Sequence, residues 1–119
     1  MTVGSGEALE VDANWTPEHL VLAGLARCTL KSLAFHAERA GVRAAGTAAA
    51  DAVVTKREED GRYALVEVEC GLDVELEPAP AGETLRELLD LAEKDCFVGA
   101  SLRVAPRYEW RVNGEVAER

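Results

Sequence analysis

The chain has 119 residues, 48% of them hydrophobic, with a formal net charge of −9 and a pI near 4.7. That length points to one domain spanning residues 1–119, and that composition excludes a disordered tail. An acidic chain with no basic cluster is a poor ligand for nucleic acid, which is gripped through Lys and Arg on phosphates, and for an anionic membrane surface. The longest unbroken apolar run, Leu20 to Ala26, stops at Arg27, well short of the ~18–20 residues that a membrane span needs. The first seven residues contain neither a basic region nor an apolar signal core, so a cytoplasmic location is expected. Three cysteines cannot all pair within one chain, and a structural disulfide framework is not expected in a reducing compartment.

In chain order, residues 1–13 offer one short strand, Ala8 to Val11. Thr16, Pro17 and Glu18 then suit the N-cap, the first position and the positive dipole end of a helix, which runs to about Ala40 and stops at Gly41. Its first half is apolar on every side, which predicts a helix buried all round, with Gly24 marking close packing or a bend. A strand is expected over Ala52–Arg57 and a turn at Glu59-Asp60-Gly61. Strict alternation follows, with Val66, Val68, Cys70, Leu72, Val74 and Leu76 on one face and acidic residues on the other, until Pro78 and Pro80. Thr84 and Glu87 fit a capping box for a second helix ending near Lys94. A last strand is expected over Leu102–Val112, with Pro106 at an edge or bulge and residues 113–119 as a tail. The Ala-rich stretch 44–50 carries no clear signal. The class is α+β.

Each cysteine has two readings. Cys70 lies on the inward face of an alternating strand and reads as a small hydrophobe. Cys28, after Arg27 in the long helix, is either another core residue or a nucleophile whose thiolate a nearby cation and a helix N-terminus stabilise. Cys96, at the junction after the second helix, is either a packing residue or a thiol able to resolve a sulfenic acid on Cys28. His19 and His36 with Cys28 have no compact metal-ligand spacing, so no metal is expected. Neither G-x-G-x-x-G nor a phosphate loop is present, so no nucleotide cofactor is expected. Trp15 either lines an apolar pocket or staples the helix start.

Two segments carry a resemblance. Asn14-Trp15-Thr16-Pro17-Glu18-His19-Leu20, leading ten residues beyond the Glu to Cys28, and Asp95-Cys96-Phe97-Val98-Gly99-Ala100-Ser101-Leu102 together resemble the OsmC/Ohr family (osmotically inducible protein C and organic hydroperoxide resistance proteins). The likeness covers about residues 8–113. It implies an OsmC-like fold, with a long central buried helix and a second helix packed on an antiparallel sheet, in an intertwined homodimer. It also implies a peroxidase: Cys28 as the peroxidatic thiolate, Cys96 resolving it to a disulfide, Glu18 as the active-site glutamate, and an external dithiol of lipoyl or thioredoxin type as reductant. Trp15, Leu20 and Phe97 are the expected lining of a pocket for an organic hydroperoxide. The family's thiolate-holding arginine comes from an N-terminal hairpin. Residues 1–13 contain no Arg or Lys, so a truncated hairpin is expected, with Arg27, Arg39 and Arg43 as the nearest cations. A continuous helix would place Glu18 about 15 Å from Cys28, so either a break near Gly24 or a second subunit must complete the site. The alternative is a non-catalytic stress-response or small-ligand-binding dimer with the same fold.

Overall fold

The computed structural model describes residues 1–4 and 6–119. A two-residue hairpin, β1 (Thr2–Val3) and β2 (Glu7–Ala8), opens the chain; the strand expected over Ala8–Val11 is confined to that position. The long helix α1 (Pro17–Arg39) begins where Thr16 accepts from the His19 amide at 3.2 Å and His19 Nδ1 accepts from the Thr16 amide at 3.3 Å, a reciprocal cap with His in the usual Glu position. It ends in a paired-carbonyl motif. Gly41 takes φ +74, its amide donates to Glu38 O, and the Val42 amide donates to Ala37 O at 2.8 Å.

Only one stripe of α1 is buried: Leu22, Leu25, Cys28, Thr29, Leu33 and Ala37. The expectation of burial all round is corrected, since Val21 is 39% and Phe35 57% exposed. One chain supplies a sheet and a helix to part of the α1 surface and leaves the rest uncovered. Gly24 causes neither a break nor close packing: the helix runs through it, and a Cβ there would meet nothing within 4 Å. An 18-residue window of α1 reaches mean hydropathy 1.2, enough by length and composition to cross a membrane. Its packing on β3 and against α2 gives that apolarity a use within the fold.

Strand β3 (Arg43–Lys56) is far longer than expected and takes in the whole Ala-rich stretch. Alanine is a weak strand former, so pairing decides here. Residues 43–56 run antiparallel to β4 (Tyr63–Glu77), with a register shift at Val53/Val54. On β4 the alternation holds: Val68, Cys70, Leu72, Val74 and Leu76 are buried and their neighbours exposed. Helix α2 spans Gly82–Lys94 and starts at Ala81. Among the described residues no side chain caps it, so the capping box on Thr84 does not form. A short helix, α3 (Phe97–Ser101), was not anticipated.

The last long strand, β5, covers only Arg107–Val112. Pro106 has no amide for the ladder and the chain joins the sheet just after it. β5 lies parallel to β4, so 78–106 form a crossover carrying α2 and α3. The expected tail instead contains β6 (Glu115–Val116), turned back by Asn113 at φ 51 and Gly114 at φ 86. The sheet order is β3-β4-β5-β6.

Candidate functional site

Cys28 sits mid-way along α1 on its buried stripe, and Cys96 is the residue before α3. Asp95 ends α2 and Cys96 starts α3, so two helix termini meet at this point and aim the Cys96 side chain inward, where it is fully buried. The structure makes Cys28 and Cys96 neighbours, close enough for Cys96 to act on the Cys28 thiol. Burial pushes the Cys28 thiol above its ordinary value, the backbone amides of Val98 and Phe97 pull it down, and Cys96 pushes it further up. All three cysteines are free thiols.

Above Cys28 opens a cleft of about 410 Å³. Its wall is one helical stripe of α1, Gly24, Cys28, Lys31, Ser32 and Phe35, faced by Phe97 and Val98 of α3, with Arg27 at its side. The Ser32 hydroxyl is buried with no hydrogen-bond partner among the described residues. His36 Nε2 lies 2.7 Å from Asp95 Oδ2, tying α1 to the turn that carries Cys96. Of the three arginines nearest in sequence, Arg27 lines the cleft, Arg39 stacks over Phe35 at 5.5 Å, and Arg43 pairs with Glu77 at 3.5 Å.

Glu18, Trp15 and Leu20 lie away from Cys28 within the chain. Glu18 is in the first turn of α1, where its own backbone hydrogen bond and the Thr16 hydroxyl hold its carboxyl below the usual range. The unbroken helix keeps it about 15 Å from Cys28. Trp15 lines a separate hollow of about 490 Å³ with His19, Leu22 and Ala48. Phe97 borders the Cys28 cleft, and Leu20 lines neither. Cys70 is buried on β4, and burial first of all pushes its thiol up to about 11, as suits a small hydrophobe. Sequence reasoning passed over Lys31 and Ser32. The signal was there: they stand three and four residues after Cys28, on the same helix face. Thr29, buried, and Tyr108, half-buried, gave no such signal, because Tyr108 arrives through the parallel pairing of β5.

A long helix and a second helix on one mixed sheet, with two buried thiols as neighbours beside the long helix, define an α+β protein of OsmC-like architecture. Comparison with known proteins agrees. The family model described as OsmC-like protein matches residues 10–111, and the chain belongs to that family. An OsmC-like protein of unknown function from Vibrio cholerae O1 biovar eltor superposes with a TM-score of 0.69 at 20% identity, over 79% of this chain and 62% of that one. An OsmC-like protein from Mycoplasma pneumoniae gives 0.64 at 19% identity, over 87% and 77%. The organic hydroperoxide resistance protein OhrB of Bacillus subtilis gives 0.58 at 22% identity, over 82% and 70%. The chain therefore spans about three fifths of the length of the first of these structures. No curated protein matches it.

Proposed function

We propose that the protein is a cysteine-dependent peroxidase that reduces organic hydroperoxides. The observation that carries this reading is that Cys28 lines a cleft bordered by Phe35, Phe97 and Val98, with Cys96 buried as its neighbour behind it. The naming of similar folds as organic hydroperoxide resistance proteins adds support. The Cys28 thiolate attacks the outer oxygen of the hydroperoxide. The O–O bond breaks, Cys28 becomes a sulfenic acid, and the alkoxide leaves as an alcohol after taking a proton. The Cys96 sulfur then attacks the Cys28 sulfur, a disulfide forms, and the oxygen departs as water. An external dithiol, of lipoyl or thioredoxin type, reduces the disulfide and is itself oxidised.

In this reading Phe35, Phe97 and Val98 receive the organic group, and the unpartnered Ser32 hydroxyl donates to a peroxide oxygen. Arg27 and Lys31 bring positive charge to the rim. The protein works as a cytoplasmic homodimer, in which Glu18, Trp15 and Leu20 of a second copy complete the site that their own Cys28 is too distant to share. A second reading, a non-catalytic dimer binding a small apolar ligand, is favoured by the upward push on the Cys28 thiol, which slows a nucleophile.

Intact-mass analysis separates the two. After one equivalent of an organic hydroperoxide, the reduced protein should lose two hydrogens within seconds. Cys96→Ser should trap a +16 species and Cys28→Ser should stay unmodified. A wild-type protein that remains unmodified for minutes supports the non-catalytic reading.

A further inference from the structure

Thr29 is the one polar side chain in the fully buried core of the described residues. It donates its only hydroxyl hydrogen to the Leu25 carbonyl at 2.9 Å, one turn back in α1. Its oxygen also lies 3.3 Å from Cys96 Sγ, so in the resting protein the Cys96 thiol is the donor and Thr29 the acceptor. A second hydroxyl, that of Tyr108, lies near the same sulfur. Tyr108 reaches in from β5, and Gly99 of α3 leaves it room: a Cβ on Gly99 would stand 2.6 Å from the phenol oxygen. Burial, and then the contacts with Cys96, push the Tyr108 phenol far above its ordinary value, as expected for a phenol that keeps its proton and donates. Cys96 therefore has an acceptor hydroxyl in Thr29, the proton-bearing phenol of Tyr108 close by, and Cys28 as a neighbour.

We propose that Thr29 and Tyr108 are positioning residues for Cys96, forming a two-hydroxyl cradle that aims its sulfur at Cys28 and carries its hydrogen bonding while a disulfide closes. The inference rests on the reading of Cys96 as the thiol that attacks Cys28. In the attack the new S–S bond forms, the group on Cys28 leaves with its electron pair, and that group takes the Cys96 proton. The sulfur gains negative charge on the way. The Tyr108 phenol stands close by with its proton kept, and the Thr29 hydroxyl can rotate from the Leu25 carbonyl, so both can donate to it as the charge develops. A buried sulfur without these two groups would meet that charge with no side-chain donor, at a cost of roughly tenfold in rate for each lost hydrogen bond.

The test uses 4,4′-dithiodipyridine in place of a hydroperoxide. Cys28 attacks the probe and releases one thiopyridone. Cys96 then attacks the Cys28 mixed disulfide and releases the second, so the two steps are read separately by absorbance. In Thr29→Val the first release should stay within about twofold of wild type and the second should slow roughly tenfold. Tyr108→Phe should slow the second step severalfold, and Thr29→Ser, which restores the hydroxyl, should recover it. Cys96→Ser should stop after one release. A Thr29→Val second release as fast as wild type overturns the proposal. So does a Thr29→Ser as slow as Thr29→Val, which would assign the effect to packing, or a wild type that releases only one thiopyridone. Because no peroxide is used, a protein inert to hydroperoxides overturns the peroxidase reading and leaves this measurement standing.

Discussion

A thiol inside a helix is usually quiet, and Cys28 is held that way by its surroundings: burial and the neighbouring Cys96 both raise its proton affinity, and only the amides of Val98 and Phe97 oppose them. The sign gives a pH prediction. A raised thiol reacts slowly at neutral pH and accelerates as pH climbs above the ordinary thiol range. Replacing Cys96 by Ala removes two of the upward influences and leaves burial in place. The rate of Cys28 alkylation by iodoacetamide should therefore rise at lower pH in Cys96→Ala than in wild type; coincident profiles would show that Cys96 has no hold on Cys28. Both sulfurs were legible in the sequence from their flanking residues. The hydroxyls behind Cys96 were not, because a threonine in a helix and a tyrosine in a strand give no sign that tertiary packing will bring them together.

Among the elements, pairing overrode local preference at both ends of the sheet. Alternation on β4 was plain, and β4 is where it was read. Its partner β3 was hidden by seven residues of mostly alanine, which stand in a strand because β4 offers a ladder and α1 needs a thin surface beneath it. At the other end, Asn113-Gly114 is a strong two-residue hairpin signal that was read as part of a tail. Asn113 also clips the sheet from its side: its Oδ1 accepts from the Leu76 amide at 2.9 Å and its Nδ2 donates to the Leu76 carbonyl at 3.1 Å. Asn113→Ala loses both bonds and puts a Cβ without amide compensation at positive φ, for a cost of about 2–3 kcal/mol. Thermal unfolding should show a Tm lower by roughly 10 °C. An unchanged Tm would mean that the clip adds nothing.

At the scale of the whole molecule, Val21, Cys28 and Phe35 are seven residues apart on α1 and share one face, and Val21 and Phe35 are open to solvent. Phe97, 73% exposed, borders the same face across the cleft. In the proposed homodimer a second copy would cover this apolar stripe, and would also let Glu18 approach a Cys28. Light scattering after gel filtration should give about twice 12.8 kDa. Val21→Glu with Phe35→Glu should halve that mass, and a wild type that runs as a monomer at micromolar concentration would refute the shared site. The sequence already implied a partner by making α1 apolar around its first half; which face stays open depends on where β3 and α2 come to rest, and periodicity alone carries no record of that.

The parallel pairing of β4 with β5 also orders events in time. β3 and β4 are joined by a short turn and can pair as soon as both exist, whereas β5 must wait for the whole crossover of residues 78–106. Cys96 is on that crossover, and Tyr108 is on the strand that completes it. Until β5 docks, Cys96 has no fixed seat and Cys28 no fixed neighbour. The two thiols are thus brought together late in folding, and a newly made chain is most open to stray oxidants in the interval just before Cys28 and Cys96 become neighbours.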